Sequence, residues 1–582
     1  MDYGRTDLFA NLHHLSLSNQ YLIAVDFGTT FSGLAWASRS GSSEIRIINQ
    51  WPSGRTDEKT ATTIRYEEDG DILWGSDIPH HLPKHEWFKL GLEPLTYNES
   101  KLTTKYPSFV AAQADVLESE KLIVDYLSAL RRHAEKELDA ALLRAKVINK
   151  RQRSIKYIIT IPAIWTDKAK DTMRTLASRA GMGEQPQSIQ LVTEPEAAAM
   201  HELKERTKRG QTPDLEVNDT FVICDAGGGT VDLISYTITQ LYPHPVVKEA
   251  TSGSGGKCGS TFLNRIFAEW LKRHLGDEPE WHEDVLSRAV SDFDRVKTTF
   301  QLPTGRSQHH YVIEIPRFWE LPEKGITRGT LRLTQQDMES IFRPVVKEII
   351  ALVNDQIAGT AKKAKTVFLV GGFGQNVYLR DTLQRAVGPD VKIKKSMDPL
   401  CAVVRGAALY GLEYSSHRTH FRIESRRARK HYGTEALDSY DPAKHDRRRQ
   451  VIDGFTGDTK AWVMKWFMRK DEPILSSKPQ LIPFYYEQKV SDGRPRKVSV
   501  KIFCSQSEKA PLHKDDQVSE LVDVTADLNR IPEHEFNREF GSNNQEYYKL
   551  DFDIEMKCES ATTEYRLVYR GKRYDVVRAE YA

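Results

Sequence analysis

The sequence DFGTTFSG at residues 26–33 decides the interpretation of the fold. It lies between two apolar runs, Tyr21–Val25 and Leu34–Ala37, which is the order expected of a strand, a tight polar loop and a second strand. A similar stretch, DAGGGTVD at residues 225–232, also lies between two apolar runs. Because this order occurs twice, the sequence predicts an internal duplication and two similar lobes.

The two loops carry residues suited to binding phosphate. A turn of glycine and threonine exposes consecutive backbone N–H groups that form a nest for phosphate oxygens, and threonine hydroxyls add donors. Asp26 and Asp225, at the strand ends, would repel phosphate, but carboxylates hold Mg²⁺ or its bound waters. The P-loop pattern G-x-x-x-x-G-K-[ST] does not occur. We therefore expect a nucleotide gripped between two lobes, with an ordinary structural turn as the alternative.

Composition excludes several other classes of protein. The 582 residues include 83 Lys and Arg against 81 Asp and Glu, so no strong overall charge attracts nucleic acid or an anionic membrane. No apolar run is long enough to span a bilayer, and the first residues lack the pattern of a secretory signal. The five cysteines are scattered without C-x-x-C spacing. These features predict a cytoplasmic protein with no nucleic-acid or membrane partner.

Five stretches in this order resemble the nucleotide-binding domain of the 70-kilodalton heat-shock family, within the superfamily that includes actin and sugar kinases. They are DFGTTFSG (26–33), EPEAAAM (194–200), DAGGGTVD (225–232), VGGFGQN (370–376) and MDPLCAVVRGAA (397–408). The resemblance covers about residues 20–415. It implies an α/β fold of two lobes, each built on a ribonuclease-H-like sheet, with ATP or ADP and Mg²⁺ in the cleft between them.

The resemblance also implies roles for individual residues. Asp26 and Asp225 match the carboxylates around magnesium and its waters. Glu194 matches an acid that orders these waters and the attacking water, and Asp232 matches a carboxylate that orients the attacking water. Lys89 resembles a lysine that approaches the γ-phosphate, with an ordinary surface lysine as the alternative. The phosphate loops would consist of Gly28, Thr29 and Thr30 on one side and of Gly227, Gly228, Gly229 and Thr230 on the other, with Thr230 also a candidate catalytic residue.

The side of the site expected to hold the base departs from the family pattern. Asp294, Lys297, Gly371, Gly372, Phe373 and Gln375 are the candidate nucleotide-binding residues there. The family has an arginine after the VGG turn, where this chain has Phe373, and a second arginine where it has Thr298. Two guanidinium faces that would hold the base are therefore missing, which predicts an altered base site. Phe373 is either a substitute surface or a buried core residue.

The C-terminal third has a different texture. Residues 417–449 contain ten Lys and Arg against five acids, which indicates a solvated linker or a surface for an acidic partner. Alternating apolar residues at 498–503 and 550–557, and a hairpin pattern near the end, predict a mostly β domain. The family's leucine-rich linker and helical lid are not recognisable. This arrangement resembles the atypical member-12 branch and its fungal relatives.

The predicted organisation has four parts. They are a polar tail at 1–19, an ATPase domain at 20–415, a basic linker at 416–456 and a β-rich domain at 457–582. Within the ATPase domain, lobe I would comprise about residues 20–218 and 397–415, and lobe II about 219–396.

Three functions follow as hypotheses. The first is a chaperone-like ATPase that slowly hydrolyses Mg·ATP and gates a client or partner protein through the C-terminal domain. The second is a nucleotide-binding interaction module with vestigial hydrolysis. The third is a small-molecule kinase of the same superfamily, for which no sugar-binding pattern is apparent.

Overall fold

The computed structural model describes residues 20–39, 44–79, 82–92, 105, 116–144, 153–207, 215–303, 310–415 and 421–581. The chain divides into two compact units, Met1–Arg422 and Ile423–Ala582, and each is described here by itself. The tail predicted at 1–19 lies outside the described residues.

The first unit mixes strands and helices, which confirms the predicted α/β class. Its strands are β1 (Gln20–Phe27), β2 (Phe31–Ser38), β3 (Arg46–Ile48), β4 (Thr60–Ala61), β5 (Thr63–Tyr66), β6 (Ile72–Trp74), β7 (His85–Glu86), β8 (Ser154–Ile161), β9 (Gln190–Thr193), β10 (Thr220–Ala226), β11 (Val231–Gln240), β12 (Val246–Gly256), β13 (Tyr311–Glu314), β14 (Glu320–Leu321), β15 (Ile326–Thr327), β16 (Thr330–Leu333), β17 (Ala364–Val370) and β18 (Lys392–Lys395). Its α-helices are α1 (Val116–Arg144), α2 (Asp167–Arg179), α3 (Glu194–Arg206), α4 (Thr261–Leu275), α5 (Glu283–Val296), α6 (Gln335–Ala358), α7 (Gly371–Gly374), α8 (Val377–Val387) and α9 (Ala402–Ser415).

Two sheets of the first unit share one strand order. The first sheet runs β3-β2-β1-β8-β9, and β12-β11-β10-β17-β18 follow the same order in the second. In the first sheet, β1 pairs antiparallel with β2 and parallel with β8. In the second sheet, β10 pairs in the same way with β11 and β17. This repetition is what an internal duplication produces. Both phosphate-loop candidates lie at the turn of the antiparallel pair.

The sheets are held by apolar strands buried on both faces and by closely packed helices. Residues 21–27 of β1 and all of β10 are buried, as expected for central strands covered on each side. Helices α3 and α9 cross at Gly406, where an added Cβ would lie only 1.7 Å from the carbonyl oxygen of Ala197. The close crossing therefore requires glycine, and it positions the start of α3 beside the first sheet.

The second unit is almost entirely β. Its strands are β19 (Arg422–Arg427), β20 (His431–Ser439), β21 (Gln450–Ile452), β22 (Thr459–Met468), β23 (Pro473–Leu475), β24 (Gln480–Lys489), β25 (Lys497–Ser505), β26 (Ser519–Asp527), β27 (Asn537–Phe540), β28 (Glu546–Cys558), β29 (Thr563–Tyr569), β30 (Lys572–Val576) and β31 (Arg578–Tyr581). One sheet runs β21-β22-β20-β25-β26-β31, and another is built from β24, β28, β29 and β30 with β27 beside β28. Their apolar residues form one core.

The segment 416–456, predicted as a basic linker, contains three strands (β19–β21) in its described part from residue 422 onward. In β19, Ile423 and Ser425 are buried while Arg422 and Glu424 are exposed. Residues 371–374 form the short helix α7. Helix α9 begins at Ala402, after a turn in which the Asp398 carbonyl accepts a hydrogen bond from the Ala402 amide.

Candidate nucleotide-binding site

The first candidate phosphate loop is braced from behind. Residues 28–30 join β1 to β2, whose pairing sets Asp26 opposite Gly33. The Thr62 hydroxyl donates to the Gly28 carbonyl at 2.8 Å, and the Thr62 amide donates to the Thr30 carbonyl at 2.8 Å. Because both bonds use carbonyl oxygens of the loop, it is anchored on its carbonyl side.

The second candidate loop is anchored in the same way. The carbonyls of Gly227, Gly228 and Gly229 accept hydrogen bonds from the backbone amides of residues 259–261, at 2.9–3.1 Å. The last of these residues begins α4, so the helix fixes the loop. An added Cβ on Gly259 would lie 2.4 Å from the Gly228 carbonyl oxygen, which requires glycine there as well.

The two loops meet face to face. A Cβ added to Gly228 would lie 2.2 Å from the Thr30 hydroxyl oxygen, and one added to Gly229 would lie 2.6 Å from that of Thr29. Beside them is a cavity of only about 10 Å³, lined in part by Lys89. The two loops are therefore in contact, and the glycines permit an approach that no side chain would allow.

Lys89 and Glu194 form a buried ion pair at the edge of this cavity. Lys89 lies in the 3₁₀ helix Phe88–Leu92, and Glu194 is the first residue of α3. The Lys89 ammonium is 2.8 Å from Oε1 of Glu194, and its side chain is only 3% exposed. This ammonium also lies 5.3 Å from the ring centroid of Trp165. The alternative that Lys89 is an ordinary surface lysine is therefore wrong.

Asp26 is fully engaged by neighbouring side chains. Its Oδ2 atom is 2.6 Å from the ammonium of Lys59, and its Oδ1 atom accepts a hydrogen bond from the Thr160 hydroxyl at 3.1 Å. Neither partner was predicted from the sequence. Lys59 precedes the two-residue strand β4, and nothing in its local pattern distinguishes it from a surface lysine.

Asp225 and Asp232 are buried carboxylates whose pKa values are raised by their surroundings. Burial, followed by the neighbouring charges of Glu194, Asp26 and Asp232, raises the pKa of Asp225 well above its ordinary value. Burial and Glu194 raise the pKa of Asp232 to about 7, although a hydrogen bond from Thr230 and one from the Ala163 amide oppose this. The Ala163 bond is 2.8 Å long and joins Asp232 to the turn that follows β8.

These carboxylates fit a divalent cation. Asp26, Glu194, Asp225 and Asp232 interact with one another, while Lys59 and Lys89 supply two positive charges. The raised pKa of Asp225 means that ionising this cluster is unfavourable without further positive charge. Carboxylate oxygens are the ligands that Mg²⁺ prefers. Asp225, directly or through water, is therefore the residue of this cluster best suited to hold it.

On the side expected to hold the base, Lys297 links α5 to the start of α4, whose first residues anchor the second loop. Its ammonium lies 2.6 Å from the Asp294 carboxylate and 2.9 Å from the Asn264 side-chain oxygen, and it donates to the Ser260 carbonyl at 3.2 Å. The Asn376 side chain donates to the Lys297 carbonyl at 3.1 Å. This network holds the two predicted residues, Asp294 and Lys297, close to the loop that ends at Thr230.

The segment 371–375 divides into buried and open parts. Gly371 has a φ of +81°, and a Cβ there would meet the Asp225 carboxylate at 2.4 Å. Gly372 is exposed with open space beside its Cα, and Gln375 is partly exposed. Phe373 is 5% exposed and its ring packs in the core near Phe342, at a centroid distance of 6.3 Å. This placement argues against a base-contacting role for the Phe373 ring.

Comparisons with known proteins find relatives of the 70-kilodalton heat-shock type. Heat shock 70 kDa protein 12A of Homo sapiens is 25% identical over 514 residues, which is 74% of each chain. Heat shock 70 kDa protein 12B of Homo sapiens is 23% identical over 594 residues, 87% of this chain and 84% of the relative. Chaperone protein DnaK of Thermosipho melanesiensis is 22% identical over 405 residues, 68% of this chain and 59% of the relative.

The fold, the loops and these relatives define the class: a protein similar to the heat-shock 70 type. Within that class, the resemblance to the 70-kilodalton heat-shock family and to its member-12 branch is confirmed. A family model described as a domain of unknown function (DUF8568) matches residues 426–581, nearly the whole second unit. Among the described helices, none combines the length and apolar character required to cross a bilayer.

Proposed function

We propose that this chain binds Mg·ATP between two actin-like lobes and hydrolyses it slowly to ADP and phosphate. The observation that supports this function is that the two loops face each other, with Gly228 next to Thr30 and Gly229 next to Thr29. Each loop follows a strand that carries a buried aspartate near its end, Asp26 in β1 and Asp225 in β10. Two phosphate nests facing each other would bind one phosphate chain from both sides.

In this proposal the charged residues position water and phosphate. The loop amides would bind phosphate oxygens, and Lys89 would bring a positive charge towards the terminal phosphate. Glu194 and Asp232 would orient the attacking water, and the Thr230 hydroxyl would add a hydrogen bond. Bound Mg²⁺ would neutralise phosphate charge, held by Asp225 and Asp26 through its waters.

The contact between the two loops implies that nucleotide binding separates them. A cavity of about 10 Å³ holds a water molecule at most. The loops contact each other through side-chain hydroxyls on one side and bare glycine backbone on the other. Such a contact is easily replaced by phosphate oxygens, since both loops keep donors for them.

A second candidate function is nucleotide-dependent binding with vestigial hydrolysis. It is favoured by one observation: the Phe373 ring lies in the core and Thr298 replaces an expected arginine, so neither supplies a face for the base. A site that contacts the base weakly would have a lower affinity for nucleotide or a broader base specificity, while its recognition of the phosphates would stay intact. The Lys297–Asp294 network would then be the main polar surface near the nucleoside.

The remaining organisation belongs to the same proposal. Lobe I would comprise about residues 20–218 and 397–415, and lobe II about 219–396, in a cytoplasmic protein. The β-rich C-terminal unit would bind a client or partner protein under control of the nucleotide state. Its match to a domain family of its own supports a dedicated role for this unit.

Two measurements test the proposal. Calorimetric titration with ATP, ADP and GTP in the presence of Mg²⁺ should show binding of adenine nucleotides by the full chain. A single-turnover experiment with bound ATP then separates the two candidates, because an ATPase converts it to ADP whereas a vestigial module retains it. Failure of all three nucleotides to bind would refute both candidates.

A further inference from the structure

The two hairpins that carry the candidate phosphate loops have different residues at one cross-strand pair, and this difference changes the charge of the site. In the second hairpin Asp225 pairs across the strands with Asp232, whereas in the first hairpin Asp26 pairs with Gly33. One half of the duplication thus has two facing carboxylates, and the other has a carboxylate facing a glycine.

The side chain of Lys59 packs against Gly33 at ordinary contact distance. A Cβ added to Gly33 would lie 3.4 Å from Cγ and 3.5 Å from Cε of Lys59, so the aliphatic part of the lysine passes directly over the glycine. Its ammonium then reaches Oδ2 of Asp26 at 2.6 Å. The path is fixed because Thr60, the next residue, pairs with Ser32 of β2.

Lys59 is therefore held inside the site. Its side chain is 15% exposed and that of Asp26 is 5% exposed. Its ammonium is enclosed beside the Asp26 carboxylate, and the charge of Asp225 also acts on it. A lysine at this depth is stable because a carboxylate pairs with it.

We propose that Lys59 is a resident cation of the site, which occupies the Asp26 side of the carboxylate cluster and keeps free divalent ions out of the nucleotide-free protein. The metal then enters together with the phosphates, whose negative charge offsets the ammonium. This inference rests on the proposed Mg·ATP function, but it concerns the state before nucleotide binds.

The test measures metal binding without nucleotide. Mn²⁺ is titrated into the nucleotide-free full-length chain, and the free ion is followed by electron paramagnetic resonance. Wild type should bind Mn²⁺ weakly, whereas Lys59→Met should bind it about tenfold more tightly or better, since a neighbouring positive charge is removed from a site of low polarity. Lys59→Arg retains the charge and should behave as wild type.

A matched control comes from the surface of the same unit. Lys363 pairs with Asp390 at 2.6 Å, the same distance as the Lys59 pair, but both side chains are mostly exposed. Lys363→Met also frees a carboxylate from a lysine, yet it should leave Mn²⁺ affinity unchanged. If Lys59→Met fails to fold, Lys59→Gln keeps a hydrogen-bond donor for Asp26 without the charge and should show the same gain.

The outcomes separate this inference from the proposed function. A folded Lys59→Met or Lys59→Gln protein with wild-type Mn²⁺ affinity overturns the role of Lys59. So does tight Mn²⁺ binding by the nucleotide-free wild type that Asp225→Asn abolishes, a measurement that requires no Lys59 variant. Absence of ATP binding by the wild type would instead refute the proposed function and leave the Mn²⁺ comparison readable.

Discussion

Replacing Gly228 by valine should abolish nucleotide binding without unfolding the chain. The first atom of the new side chain would lie 2.2 Å from the Thr30 hydroxyl oxygen, so the side chain fills the space between the two loops. When the loops separate to admit a phosphate chain, the valine stands between that chain and the loop amides and keeps them out of hydrogen-bonding range. Bonds to a charged acceptor contribute about 1.5–3 kcal/mol each. Losing two would weaken binding by about 10²- to 10⁴-fold.

The assay is calorimetric titration of the full chain with ATP and Mg²⁺, supported by circular dichroism to confirm folding. Gly454→Val is the matched control, because a Cβ at Gly454 meets nothing within 4 Å and the residue lies in the second unit. The control should bind ATP as wild type does. A folded Gly228→Val protein with an ATP affinity within about threefold of wild type, a difference under about 0.7 kcal/mol, would refute the assignment of this loop to phosphate.

Three further predictions concern the charged residues. The folded protein holds the proton of Asp232 more tightly than the unfolded chain, so the contribution of Asp232 to stability falls as pH rises from 3.8 through about 7. Between pH 5 and pH 8 the melting temperature of the nucleotide-free wild type should therefore fall more than that of Asp232→Asn. An equal pH dependence of the two melting temperatures would contradict this prediction. Lys89→Met and Glu194→Gln should bind ATP but hydrolyse it about 100-fold more slowly in single-turnover assays, and a parental rate in either variant removes that residue from the catalytic set. Because Lys89→Met leaves Glu194 buried without its ion-pair partner, it should lower the free energy of unfolding by about 3–5 kcal/mol. The double variant Lys89→Met with Glu194→Gln should recover much of this loss. A double variant as unstable as Lys89→Met alone would show that the broken ion pair is not the cause.

The sequence predicted the phosphate loops because their signal is local. The strands before and after Gly28 and Gly228 are continuous apolar runs, and the turn residues between them are adjacent in the chain. The burial of Lys89 beside Glu194 joins residues far apart in the sequence, so the sequence did not predict this pair. Only the separate roles of the two residues were implied, and these came from the family resemblance. The role of Lys59 had no such signal, since its partner Asp26 and the neighbouring glycine lie about 25–35 residues earlier and become adjacent only through strand pairing.

The strands in the predicted linker have a similar explanation. The basic residues at 417–449 indicate a solvated linker or a surface for an acidic partner, because charge dominates the composition there. Strand β19 in fact alternates, with buried Ile423 and Ser425 between exposed Arg422 and Glu424. A period of two with charged outer residues is typical of a strand with one solvated face. The charge count hid this pattern, because it ignores the order of the residues.

The bond from the Ala163 amide to Asp232, together with the contact between the loops, has a consequence for the rate at which nucleotide binds. Under the proposed function the touching loops must open before ATP enters, so only the fraction of molecules that are open at a given moment can react. The observed association rate should then level off at high ATP concentration, at the value of the opening rate, instead of rising in proportion to it. The apparent dissociation constant equals the intrinsic one divided by the open fraction. Under the proposed function, weakening the bond between Ala163 and Asp232 would therefore make the protein bind ATP both faster and more tightly, although it adds no contact to the nucleotide.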